Sequence, residues 1–339
     1  MKTLRLLTAA LALSVACTPN ERQAAHEALP AAERVSLPLT DTLWVRGGRP
    51  GDTLASYPEY LGHDANAVYV TDMAKNEVVA LEATTGAIRW RSRSTQGELK
   101  APASITGIGG GGVAAIDASG AVVRLDARGR VVSTTPLPDG ELARQVCSLS
   151  DTTFLVAYLR QELPLVIIAS SGRIVKRLEL PWPGSRELSA MQTQLVLGGG
   201  DGACAAALAY GEGFALVRGD TVVWTTPYVE PVPMPRLKER TTADAGTSTI
   251  VEQVQSTHPV VRDVSIADGR VAVLFEGKTR TPGSNIDEYD LKSGAYVGTL
   301  VTGRRIVGLQ LFGKNVIALA GLSGYPALIA LRRPPVPAR

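Results

Sequence analysis

The run Val78–Arg91, VVALEATTGAIRWR, decides how the rest of the chain is read. Two short β-rich stretches flank a polar turn that carries Gly86. Apolar and β-branched residues on either side of a glycine-bearing turn are a hairpin signature. Glycine belongs there because such a turn demands a positive φ. Four further runs align on the same turn: Val122–Thr135 (VVRLDARGRVVSTT), Leu165–Leu178 (LVIIASSGRIVKRL), Phe214–Pro227 (FALVRGDTVVWTTP) and Ile286–Leu300 (IDEYDLKSGAYVGTL). Their glycines are Gly86, Gly129, Gly172, Gly219 and Gly294, spaced by 43, 43, 47 and 75 residues.

Working outward, another β-rich run precedes each hairpin, as in Ala67–Asp72, Gly112–Asp117, Thr153–Tyr158, Ala203–Tyr210 and Arg270–Phe275. A sixth, Asn315–Ala320, is followed by Ala327–Leu331. Ahead of these lie runs such as Ser104–Ile108, Val146–Ser150 and Ile306–Phe312. Four antiparallel strands in a unit of 40–45 residues is the arithmetic of a β-propeller blade. The expected fold is therefore all-β, a six-bladed propeller spanning residues 35–331. The sixth unit is short of one strand, because only RRPPVPAR (332–339) follows and proline cannot join a central strand. The unassigned β-rich stretch Arg34–Arg46 is expected to supply it and close the ring, which removes open sheet edges. A sandwich or solenoid of the same strands would not explain a spare strand at one terminus and a truncated unit at the other.

The spacing of 75 exceeds one repeat, and the excess falls in residues 226–259. Pro227, Pro231, Pro233 and Pro235 oppose regular strand pairing there. A long loop between the fourth and fifth blades is expected. Loops of that length are often functional, and this one could cover one mouth of the ring.

The N-terminus reads as an address. Lys2 and Arg5 precede ten uncharged residues, Leu6–Val15. That is too short to span a bilayer and fits a secretory signal peptide, residues 1–16. Ser14-Val15-Ala16-Cys17 resembles the lipobox of bacterial lipoproteins, with cleavage between Ala16 and Cys17 and acylation of Cys17. Ser14 departs from the usual aliphatic residue, and ordinary cleavage after Ala16 is the competing reading. Residues 17–34 are polar and read as a lipidated cysteine followed by a flexible tether. Such a chain would sit in the bacterial envelope, facing the periplasm or exterior. Thr18 gives no inner-membrane retention signal of the Asp type, which favours the outer membrane.

The run VVALEATTGAIRW looks like a quinoprotein-type repeat, and VYVTDMAKNEVVALEA resembles an NHL-type blade. With the lipobox, the chain is similar to six-bladed propeller lipoproteins of bacterial envelopes. That resemblance implies a fold and a place more than a reaction. Larger quinoprotein-like lipoproteins act as structural partners in envelope assembly, usually with more blades than this length supplies.

The 339 residues carry 35 Lys+Arg and 32 Asp+Glu, a net charge of +3. Loss of Lys2 and Arg5 with the signal peptide brings it to +1. Neither value is a footprint for nucleic acid, and 45% hydrophobic residues exclude a disordered chain. Gly107–Gly112 formally matches GxGxxG, but a strand rather than a helix follows, so it and Gly198–Gly202 read as loops and not phosphate cradles. Arg218-Gly219-Asp220 sits at the shared hairpin turn and is a chance tripeptide. His26, His63 and His258 fall in the tether and in predicted loops, without metal-ligand spacing. Asp72, Asn76, Asp117, Asp126 and the cluster Asn285–Asp290 could hold a hard cation, although strand ends and turns favour Asp and Asn for local reasons. No catalytic residue, metal site or cofactor is assigned. Cys147 and Cys204 fall in neighbouring units and are a candidate disulfide, two buried free thiols being the other reading. Trp90 and Trp224 recur at equivalent places and are expected to pack between blades.

The inner runs Ser104–Ile108, Val146–Ser150 and Ile306–Phe312 carry no acid and no histidine, Arg262 and Asp263 being the exception. This favours a non-catalytic binding platform for an envelope protein or small ligand. The alternative is a lactonase- or lyase-like propeller enzyme with a channel metal.

Overall fold

The computed structural model describes residues 34–335, apart from 53, 93–97, 139, 160–162, 180–181, 183–193, 231, 233–236, 245–246, 255–258, 277–282 and 323. The signal peptide, Ala16, Cys17 and most of the tether lie outside the described residues, as does His258.

Six four-stranded antiparallel sheets follow one another along the chain. Blade 1 runs Pro58–His63, Ala67–Asp72, Glu77–Glu82 and Ile88–Arg91. Blade 2 begins at Ser104–Ile108, blade 3 at Ala143–Ser150, blade 4 at Leu195–Gly200, blade 5 at Val261–Ala267 and blade 6 at Ile306–Phe312. These first strands line the centre, each contacting the next, and that of blade 6 returns to that of blade 1. The result is a closed six-bladed propeller.

The burial pattern follows from that arrangement. Second and third strands are sandwiched by the blades on both sides, so alternation disappears and Ala67–Asp72 or Ala203–Leu208 are buried throughout. Outermost strands cover one face only, and Val131–Pro136 and Thr221–Pro227 alternate strictly. The hydrophobic core is correspondingly divided into six apolar clusters, one in each seam between adjacent blades.

The shared hairpin turn also holds the seams. Gly86, Gly129 and Gly294 have φ of 68°, 75° and 71°. A Cβ on Gly86 would lie 2.6 Å from the Trp44 ring, on Gly129 2.5 Å from Trp90, and on Gly294 3.1 Å from Trp224. Each tryptophan comes from the outermost strand of one blade and lies on the turn of the next. The indole N–H groups of Trp44 and Trp224 donate to Ala83 O and Leu291 O, both at 3.1 Å. Where tryptophan is missing, Thr135 donates to Ser170 O of blade 3 and Lys176 to Asp220 O of blade 4.

Ring closure differs in one respect from the sequence expectation. The stretch 34–46 does not form a single strand but splits between two blades. Strand β2 (Thr42–Gly47) is the outermost strand of blade 6, pairing antiparallel with Tyr325–Arg332. Strand β1 (Ser36–Pro38) pairs parallel with Tyr296–Val301 and adds a fifth strand to blade 5. Because β2 carries Trp44, the N-terminal strand also docks blade 6 on blade 1.

The insertion between blades 4 and 5 contains a two-stranded hairpin, Leu237–Asp244 with Thr247–Val254. Pro227 ends a paired strand, and Pro231, Pro233 and Pro235 lie outside the described residues. No helix among the described residues is long and apolar enough to cross a membrane.

Candidate functional site

The centre of the ring and its two faces are where loop residues from different blades meet. The turns after the innermost strands lie on one face, the turn face. The chain enters each innermost strand from the opposite face, where the insertion before blade 5 also leaves the body.

The two glycine runs are built into the centre rather than into loops alone. Gly198–Gly200 end the innermost strand of blade 4, and only Asp201 and Gly202 form the turn. A side chain on Gly198 would overlap Val264 O, and one on Gly200 would overlap Ile266 O. One on Gly199 would overlap Cys147 Sγ. Gly107 likewise leaves room for His63 O of blade 1. Glycine is needed here because neighbouring backbones approach too closely for a Cβ. Gly109–Gly111 form a 3₁₀ turn, and Gly109 N–H donates to Asp151 of blade 3 at 2.8 Å.

Beneath that strand, Cys147 of blade 3 and Cys204 of blade 4 are joined as a disulfide, with Cα atoms 6.0 Å apart. Both residues are fully buried.

His63 does not lie in a loop. It ends the innermost strand of blade 1. Its Nδ1 is 2.5 Å from Gln310 Oε1 of blade 6. Ser265 Oγ of blade 5 also donates to that oxygen at 3.1 Å, and Gln310 Nε2 donates to Leu61 O at 3.1 Å. Leu311 N–H completes the network on Ser265 Oγ at 2.9 Å. With the amide fixed by Leu61 O, Nδ1 must carry the proton. Burial lowers the pKa of His63. A Cβ on Gly200 would lie 3.4 Å from His63 Cε1, so the ring extends from blade 1 toward blade 4.

Nearer the other mouth, Asp263 accepts from Leu309 N–H and Val264 N–H, both at 2.8 Å. Burial pushes its pKa up to about 7. Tyr60 sits nearby, its pKa raised to about 12 by burial and the negative charge of Glu59. On the same side Arg262 pairs with Glu276 at 3.0 Å, and Arg305 approaches the same oxygen at 3.6 Å.

The acids considered for a hard cation are distributed differently. Asp72 accepts from Ser56, Tyr57 and Lys75 N–H groups, and Asp117 from Ser119 and Ala121. Asp126 accepts from Arg128 and Arg130, and Asn76 from Ala101. Asp117 and Asp126 cap their own turns, whereas Asp72 and Asn76 tie down backbone N–H groups of neighbouring segments. The cluster Asn285–Asp290 does meet cations, but they are guanidinium groups: Asp287 meets Arg34, Glu288 meets Arg333 and Asp290 meets Arg270. No group of three or more His, Cys, Asp or Glu among the described residues is arranged to hold a metal ion. Arg34, Gln310 and Arg333 escaped the sequence reading, since nothing local marks a side chain whose partner lies on another blade, 253 residues away for Arg34 and 247 for Gln310.

Residues 51–201 match the PQQ_2 family model, described as outer membrane protein assembly factor BamB. The match covers blades 1 to 3 and the innermost strand of blade 4. No curated protein matches the chain. Among solved structures, the RRP9 WD40 repeats are 10% identical, covering 80% of this chain and 79% of that one, with a TM-score of 0.50. BamB from Moraxella catarrhalis is 14% identical, covering 89% of this chain and 95% of that one, with a TM-score of 0.41. At these identities the structural likeness concerns the fold. The closed ring is thus a six-bladed propeller, and residues 51–201 of it, somewhat less than half of the chain, are similar to quinoprotein-type repeats.

Proposed function

We propose that this chain is a non-catalytic, lipid-anchored propeller that serves as a protein-binding platform in the bacterial envelope. The observation that carries the reading is the match of three consecutive blades to the BamB family model. The ring supports it chemically. At its centre the polar side chains His63, Gln310 and Ser265 satisfy one another, which favours the loops as the recognition surface. The insertion 226–259 is the largest departure from the repeat and the first candidate for contact. The lipobox at Cys17 and the polar stretch behind it support attachment to a membrane, with the outer membrane favoured.

The test is affinity capture from envelope extracts, using the chain from Thr18 onward with and without residues 231–258. Capture of an envelope protein that is lost with the insertion supports the reading. A stoichiometric, tightly bound Ca²⁺ or Zn²⁺ in the purified protein overturns it in favour of a lactonase- or lyase-like enzyme. Separately, Cys17→Ser is expected to release the protein from the membrane fraction. Retention there would sink the lipid anchor.

A further inference from the structure

Asp287 and Glu288 are consecutive residues of the third strand of blade 5, and both are fully buried. Consecutive strand residues point to opposite faces. Tyr289, on the side of Asp287, belongs to the seam with blade 4, and Ile286, on the side of Glu288, to the seam with blade 6.

Each acid meets an arginine from one end of the described chain. Arg34 lays a two-pronged fork on Asp287, Nε to Oδ1 and Nη2 to Oδ2, both at 3.1 Å. Its Nη1 donates to Glu230 at 2.8 Å, at the root of the insertion. Its guanidinium lies 4.9 Å from the centre of the Phe275 ring. Thr299 adds a hydrogen bond to Asp287 Oδ1 at 2.6 Å. On the other face, Arg333 Nε lies 3.2 Å from Glu288 Oε1. Its backbone N–H donates to Lys314 O of blade 6 at 2.8 Å.

We propose that Asp287 and Glu288 form a two-sided latch that fastens both ends of the folded body to blade 5. Ring closure then rests on three blades: β2 in blade 6, Trp44 on blade 1, and the latch in blade 5. The geometry explains β1. Three residues of parallel pairing are too few to hold an arm, whereas a desolvated arginine fork beside them is not. The two sides are unequal. Asp287 is saturated by hydrogen bonds, while neither oxygen of Glu288 has an aligned donor, so Arg333 is held there by charge. If the tether is pulled from the membrane, the fork bears the load before β2 does. That consequence rests on the anchored reading; the latch itself does not.

The test is amide hydrogen exchange on the full secreted chain carrying Arg34→Gln, Arg333→Gln, or both. Arg34→Gln is expected to speed exchange about tenfold in residues 35–39 and 42–47 while blades 2 and 3 stay unchanged. Arg333→Gln should act on residues 325–333, and the double variant should lose more stability than the sum of the two. Should Arg34→Gln fail to fold, Arg34→Lys keeps the charge, loses the fork, and is expected to show the same localised change at smaller size. Exchange in residues 42–47 of the double variant within about twofold of the parent, or an equal rise in every blade, overturns the proposal. Adding Cys17→Ser should leave all of these results unchanged, which separates a failed latch from a failed anchor.

Discussion

The seam between blades 3 and 4 and the seams around blade 5 are closed by opposite chemistry. At the first, a side chain is removed and a covalent bond takes its place: Gly199 of blade 4 leaves room for Cys147 Sγ of blade 3, which is joined to Cys204. At the second, charges are buried: Arg34, Asp287, Glu230, Glu288 and Arg333 are drawn into the blade. The chain runs without a break through blades 3 and 4, so a covalent link there closes a loop of the unfolded chain. Around blade 5 the partners are held without a covalent bond, Arg34 on Asp287 and Arg333 on Glu288.

The comparison is most severely tested by removing the covalent side. Cys147→Ala with Cys204→Ala should destabilise the protein by about 4 kcal/mol, as expected for a bridge across 57 residues. Denaturant unfolding of the oxidised parent and the variant measures it, and intact mass of the non-reduced parent shows whether the bond has formed. Removing the ionic side comes next. Asp287→Asn leaves Arg34 with Glu230 alone and should cost about 3 kcal/mol. If this loss exceeds that of the cysteine pair, the ranking of the two seams is reversed. Third, Gly198→Ala forces a Cβ against Val264 O and should cost about 2 kcal/mol, with exchange rising first at the seam of blades 4 and 5.

A last measurement concerns the pH dependence of Asp263, whose folded pKa of about 7 lies above the ordinary 3.8. Its raised value means the folded state holds the proton more tightly. The contribution is present below the ordinary carboxylate range and is lost as pH rises toward 7. Melting temperatures of the parent minus those of Asp263→Asn should therefore fall between about pH 4 and pH 7. A difference that is flat across this window would refute the assignment.

How much of this was legible in the sequence can be argued residue by residue. The turn glycines Gly86, Gly129 and Gly294 were visible because a hairpin and its positive φ are local. Trp90 and Trp224 were recognisable as blade packing because they recur at a fixed distance from those glycines. Gly198–Gly200 were read as a loop because a glycine run looks alike whether a turn or a neighbouring backbone demands it. His63 was assigned to a loop for a related reason: a strand ending in a turn has no sharp local boundary. The cluster Asn285–Asp290 stands out in the sequence only as possible oxygen ligands, with no metal site assigned, and its guanidinium partners Arg34 and Arg333 do not, since they lie outside the hairpin that carries it.

The sequence by itself determined the repeat, the number of blades and the need for an N-terminal strand, because these follow from short-range periodicity and from counting strands. Only the tertiary structure decided that this N-terminal stretch divides between blades 5 and 6, that Gln310 pins His63 across the seam of blades 6 and 1, and that blade 5 holds both Arg34 and Arg333. Those outcomes depend on which distant groups meet in a low-dielectric seam, where an unpaired charge is costly and a paired one is kept. That pairing is a property of the closed ring and has no counterpart in any local stretch of chain.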